Sequence, residues 1–206
     1  MKNPDISIIV TNYNYSEYIQ RCIRSVLNQD HVNHEVIIVD DCSTDNSLEV
    51  IKIFEQSIKV LSTPKNAGVA AAANLGIRNA RGQFVIRVDA DDYVSSDMLY
   101  FMSKYLELNH DAFCVSCDYT IVDDYENTLE RKYSEKDPVS CGIMYRKDLF
   151  LKLGGYNDSM RHREEEELRK RLGEYYNIHH LRIPFYRYRM HSSNKTKTNE
   201  YKVCTI

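Results

Sequence analysis

The 206-residue sequence is short of several things, and each shortage removes a class of protein. No apolar run approaches the roughly 18 residues that a membrane-crossing helix needs. The opening MKNPDISIIV has neither the apolar core nor the small-residue cleavage site of a secretory signal, which predicts a cytoplasmic protein. Positive charge is not in excess. The formal net charge of -3 has the wrong sign for a general nucleic-acid binder, so no nucleic-acid partner is expected. The six cysteines include one CxxC, Cys114 and Cys117, with no second pair or histidine pair at zinc-site spacing. AFCVSCDY alternates as a strand does, which sends those two thiols to opposite faces. No GxGxxG opens a helix and no glycine precedes Lys and Ser/Thr as in a P-loop, which sets aside dinucleotide dehydrogenases and P-loop NTPases. Repeats, low-complexity stretches and interdomain linkers are also missing, and the length suits one domain over 1–206.

What is present is an alternation of strands and helices. ISIIV (6–10), EVIIVD (35–40), IKVLS (58–62) and FVIRVD (84–89) are short apolar runs rich in β-branched residues. Between them lie helical stretches. In the first, Ile19, Cys22, Ile23, Val26 and Leu27 share one face, with Ser16 as the expected N-cap. Apolar strands flanked by helices predict an α/β fold with a mainly parallel, Rossmann-like sheet covered on both sides. The second half, from 93 to 191, reads as less regular, and a polar tail runs from 192 to 206.

In parallel sheets, ligands bind beyond the carboxyl ends of the strands. The four strand ends here are TNYN, DDCSTD, TPKNAG and DADD. Asp89 and Asp91 flank Ala90, and in extended backbone they point the same way and can share a hard cation, Mn²⁺ or Mg²⁺, beneath a substrate diphosphate. Asp92 is a candidate cap for the helix that begins near Ser96. Asp40 and Asp41 point to opposite faces, so one of them can meet a ribose or a base, on which Tyr13 can stack. Asn66 lies on the third strand-end segment. Asn74 and Arg78 stand one turn apart on the small-residue helix around AAAANLG and are candidates for donor contacts, against a reading in which that helix only packs tightly.

RHREEEELRKRL raises a separate question. Leu168 and Leu172 mark the buried side of a helix, which places Glu164 and Glu165 inward and Glu166 and Glu167 outward. An inward carboxylate at a helix N-terminus is ionised by the dipole and opposed by burial, a balance that suits a general base. A capping role is the structural alternative.

Taken in order, ISIIVTNYN, EVIIVDDCSTDNS, NAGVAAAANLGIRNARGQFVIRVDADD, GIMYRKDLFLKLGGYND and EEEELRKRL resemble the family 2 glycosyltransferases of the GT-A fold. The resemblance covers most of the chain. It implies a nucleotide-sugar-binding half (1–92), an acceptor-side half (93–191), and inverting transfer of a sugar from a nucleoside diphosphate, UDP before others, to an acceptor hydroxyl. Asp89-Ala90-Asp91 matches the family's DxD metal motif, with Asp91 the direct ligand. Thr11, Tyr13 and Asp41 match nucleoside-holding positions. The acidic motif places the base on Glu165, with Glu164 as its rival and Glu standing where the family usually has Asp. His191 matches a place where some GT-A enzymes carry a C-terminal metal ligand. A glycan or lipid-linked acceptor in bacterial surface-polysaccharide synthesis is implied. The basic, aromatic end of the chain, FYRYRMH and SSNKTKTNEYK, can make peripheral contact with the inner membrane, against a reading as a plain solvated tail. Two alternatives stay open: a non-catalytic nucleotide-sugar-binding subunit, and a sugar nucleotidyltransferase.

Overall fold

The computed structural model describes residues 4–175, 177–192 and 194. The first half forms the expected alternation: β1 (Ile6–Asn12), α1 (Ile19–Leu27), β2 (His34–Asp40), α2 (Ser47–Lys52), β3 (Lys59–Ser62), α3 (Val69–Arg78) and β4 (Phe84–Asp89). β3, β2, β1 and β4 lie side by side and parallel. β5 (Tyr93–Val94), α4 (Met98–Leu108), β6 (Cys114–Val122), β7 (Thr128–Lys132), β8 (Ile143–Arg146), α5 (Lys147–Lys152), α6 (Glu164–Leu172) and β9 (Ile178–Arg189) follow. β8 joins β4 antiparallel and carries the same sheet onward through β6 and β9 to β5, with β7 paired to β6. The irregular second half is thus an extension of one mixed sheet, and the polar stretch ENTLERK contributes a strand to it.

The central strands send alternate residues to opposite cores. Ile6, Ile8 and Val10 of β1 pack with α1 and α4, whereas Ile9 packs with Ile37, Val39 and α3 on the other side. Each fully buried Ile contributes about 1.5–3 kcal/mol relative to exposure. Cys114 and Cys117 separate between these cores. The small residues of α3 let it approach the sheet: a Cβ added at Gly76 would sit 2.3 Å from Ile9 Cγ2.

Helix starts differ from the expectations. α1 begins at Ile19, and the Ser16 N–H donates to Asp45. Asp92 does not cap α4, because Arg189 N–H and Tyr186 OH occupy its carboxylate at 2.8 and 2.7 Å. Most of the polar tail lies outside the described residues.

Candidate active site

The carboxyl ends of β1, β2 and β4 meet the amino end of α3 around a cavity of about 320 Å³. Thr11, Tyr13, Asp41, Asp89, Asp91 and Glu164 border it. Their convergence follows from parallel register, since Thr11 stands opposite both Val39 and Asp89.

The two aspartates after β2 divide their work. Asp40 turns into the loop and accepts from Asn12 Nδ2 (2.8 Å) and Ser43 Oγ (2.6 Å). Asp41 borders the cavity and accepts from Thr63 Oγ1 (2.7 Å) and from the Ala67 and Gly68 N–H groups (2.8 Å each), which ties it to the entry of α3.

The DAD segment is not extended. β4 ends at Asp89, Ala90 and Asp91 form a turn, and the Asp92 N–H donates back to the Asp89 carbonyl at 3.0 Å. Both carboxylates still reach the cavity, but through the turn. Asp89 accepts from Thr11 Oγ1 at 3.1 Å, and the Arg87 Nε lies 3.0 Å away as an ion pair at an angle that makes no hydrogen bond. Asp91 meets His191, whose Nε2 is 3.1 Å from Oδ2. His191 is buried between Tyr15 and Tyr18, and among the described residues its Nδ1 has no hydrogen-bond partner. Burial pushes the Asp89 pKa up, Arg87 pulls it down, and Asp91 and Glu164 add to the rise. Burial, then Asp91 and Asp89, push Asp92 well above the usual carboxylate range.

This crowding of negative charge is what a divalent cation relieves. The residues fit one: Asp91 offers oxygen, His191 nitrogen, and Asp89, Asp92 and Cys141 hold ligand atoms within 4.8 Å of one another. Arg87 already engages Asp89, which leaves Asp91 and His191 as the stronger pair. Carboxylate with imidazole favours Mn²⁺ over Mg²⁺ in this donor set.

The helical wheel is correct about α6: Glu164 and Glu165 are buried and Glu166 is exposed. Their surroundings differ. Glu164 borders the cavity and accepts from Arg87 Nη1 at 2.6 Å. Burial is the largest influence and opposes its ionisation, but the charge and hydrogen bond of Arg87, together with its other hydrogen bonds, lower its pKa. Glu165 turns behind it, where Tyr145 OH donates at 2.5 Å and Arg169 Nε lies at 3.4 Å. The cavity side of the pair is therefore Glu164, whereas the motif register put Glu165 there.

Two candidate donor-binding residues lie elsewhere. Asn74 is buried and committed to Tyr156 O (2.7 Å) and Asp158 (2.6 Å), so it fastens the loop before α6 to α3. Arg78 is exposed at the far end of α3, about 9 Å along the helix from Ala72, the last α3 residue to line the cavity, by the rise per residue. Asn66 is not among the residues that line the cavity; its carbonyl and side-chain oxygen accept from Arg161, which is.

The strand-end pattern does not single out Arg87, which joins Asp89 to Glu164. Its signal was a lone cation inside FVIRVD, a strand buried on both faces, where a charge needs partners.

Comparison with known proteins agrees with this architecture. The family described as Glycosyl transferase family 2 matches residues 7–183. An uncharacterized glycosyltransferase of Haemophilus influenzae is 38% identical over 124 residues, 55% of this chain and 50% of that one. TuaG of Bacillus subtilis, a putative teichuronic acid biosynthesis glycosyltransferase, is 37% identical over 114 residues, 54% of this chain and 44% of that one. The chain spans half or less of the length of these relatives. Among solved structures, S. aureus TarS 1-349 in complex with UDP-GlcNAc has a TM-score of 0.81 at 21% identity, covering 94% of this chain and 61% of that one. The mannosyltransferase PcManGT of Pyrobaculum calidifontis, with GDP-Man and Mn2+, has a TM-score of 0.72 at 19% identity, covering 91% and 57%. At such identities the likeness establishes the shared fold.

Proposed function

The chain belongs to glycosyl transferase family 2, and from that premise we propose that it transfers a sugar, with inversion, from a nucleoside diphosphate to an acceptor hydroxyl in bacterial surface-polysaccharide synthesis. The observation that carries this reading is the meeting, on one cavity, of nucleoside-side residues (Thr11, Tyr13, Asp41), the Asp91–His191 pair and the Glu164 carboxylate. A UDP-sugar is the first choice of donor, in keeping with the nucleotide bound to TarS. The acceptor is a glycan or lipid-linked sugar, handled by the half from 93 to 191 of a single domain at the cytoplasmic face of the membrane. No helix among the described residues is long and apolar enough to cross a membrane.

Asp91 and His191 would hold Mn²⁺ or Mg²⁺, which would neutralise the charge that grows on a departing diphosphate. The protein's own groups do the rest. Asp41 and Tyr13 fix the nucleoside, which positions the anomeric carbon. Positioning of two substrates is worth up to roughly 7–11 kcal/mol of the barrier. Glu164, ionised beside Arg87, takes the acceptor's hydroxyl proton. That oxygen attacks the anomeric carbon from the face opposite the diphosphate, which forms the new C–O bond as the old one breaks and inverts the centre. A base of this kind adds about 10²–10⁴-fold.

Calorimetry with Mn²⁺ and a panel of nucleoside diphosphates tests the reading. Native protein binds at least one of them in a metal-dependent manner, and Asp91→Ala abolishes that dependence. Unchanged binding by Asp91→Ala refutes the metal assignment. Glu164→Gln then keeps donor binding and loses transfer by a factor of about 10² or more. If Glu165→Gln alone shows that pattern, the base is Glu165. Donor hydrolysis separates a transferase from a silent binding subunit.

A further inference from the structure

The stretch ahead of α6, Arg161-His162-Arg163, borders the cavity just before Glu164. The acids of the cavity have not recruited its two arginines. Asp41 is held by Thr63 and two N–H groups, Asp89 by Thr11 and Arg87, Asp91 by His191, and Glu164 by Arg87. Arg87 is thereby fully engaged and buried, whereas Arg161 and Arg163 are exposed.

Arg161 is nevertheless held in one pose. Its Nη1 donates to Asn66 Oδ1 (2.5 Å) and to the Asn66 carbonyl (3.2 Å). Its stem lies on Gly68, where a Cβ would come within 2.7 Å of Arg161 Cδ, so a larger residue at that position would dislodge it. Among the described residues its Nε and Nη2 have no partner. Among the described residues the Arg163 side chain has only a long contact, 3.9 Å, to Glu166, and that glutamate is already paired with Lys170 at 2.8 Å. Two guanidinium groups thus border the cavity with donors to spare. A guanidinium fork matches a carboxylate or a phosphate, and it binds such a group more tightly than a neutral hydroxyl.

We infer that Arg161 and Arg163 form an anion-binding lip that selects a saccharide carrying a carboxylate or phosphate. The anion is carried by the transferred sugar or by the acceptor. The inference rests on the nucleotide-sugar reading above and adds a substrate class to it. It is distinct from the donor's own diphosphate, which belongs at Asp91 and His191.

The test uses the native chain and the double variant Arg161→Gln/Arg163→Gln, both with Mn²⁺. Calorimetry compares UDP, UDP-glucose and UDP-glucuronate. Ligand-observed NMR on the UDP-loaded protein compares methyl glucoside with its 6-carboxylate and 6-phosphate forms. On the native chain a charged ligand binds about tenfold tighter than its neutral counterpart, the order expected of a charge-assisted hydrogen bond. The double variant loses that preference and binds UDP as before. A preference within the donor pair puts the anion on the transferred sugar, and one among the glucosides puts it on the acceptor. Equal binding of charged and neutral ligands in both sets overturns the inference, as does a preference that survives the double variant. A matching loss of UDP binding also overturns it, because the arginines would then serve the diphosphate. Failure of the native chain to bind any nucleoside diphosphate overturns instead the reading beneath.

Discussion

Replacing Arg87 with Met tests the electrostatic architecture of the site directly. Arg87 is 5% exposed and is the counter-ion of two carboxylates, Asp89 and Glu164, the latter 3% exposed in its side chain. Methionine fills a similar apolar volume but leaves both acids without a cation. Breaking a buried pair from one side costs about 3–5 kcal/mol. For a chain of this length that lowers Tm by about 6–20 °C at pH 7. The sign of the pH dependence should also change. In the native protein Glu164 has a lowered pKa, so its contribution is complete above the unfolded value of 4.5 and fades as pH falls through the folded value. Without Arg87, burial raises that pKa, and the variant is least stable above the raised value and recovers as the pH falls toward 4.5 and the acid protonates. Urea unfolding at pH 7 and pH 5 reads both effects. Adding Glu164→Gln to Arg87→Met removes one stranded charge and recovers about 1–3 kcal/mol. A loss below about 1 kcal/mol at pH 7, or no recovery in the double variant, would refute the claim that this ion pair is desolvated and essential.

Two further outcomes follow from the same geometry. Glu126 accepts from Arg21 at 2.9 Å and from the buried Arg189 at 3.3 Å, and the Arg189 Nε donates to the Asp91 carbonyl. Glu126→Gln should cost about 1 kcal/mol in urea unfolding, discounted for its partial exposure, and should weaken Mn²⁺ binding in calorimetry; unchanged metal affinity argues against this link to Asp91. Gly76→Ala gains about 1 kcal/mol of helix propensity but meets Ile9 Cγ2 at 2.3 Å and Val39 Cγ2 at 3.1 Å. Overpacking of about 1–3 kcal/mol should outweigh that gain, so a rise in Tm would show that α3 can move off the sheet.

The sequence alone determined much of what depends on a residue's own element, though not the turn after β4 that carries Asp91. Strand alternation assigned Asp40 and Asp41 to opposite sides, and the strand ends marked the rim on which Thr11, Tyr13, Asp41, Asp89 and Asp91 gather. The period of α6 turned Glu164 and Glu165 inward. These follow from repeats of 2.0 and 3.6 residues, which are properties of the local backbone. Only the tertiary structure decided which acid meets the cavity, because Glu164 is drawn there by Arg87, 77 residues away in the chain. It likewise took Asn74 for the loop at Tyr156 and Asp92 for Arg189, across 82 and 97 residues. Periodicity says which way a side chain points. What it meets there depends on how the elements pack, and for a buried polar group that partner sets its charge and therefore its role.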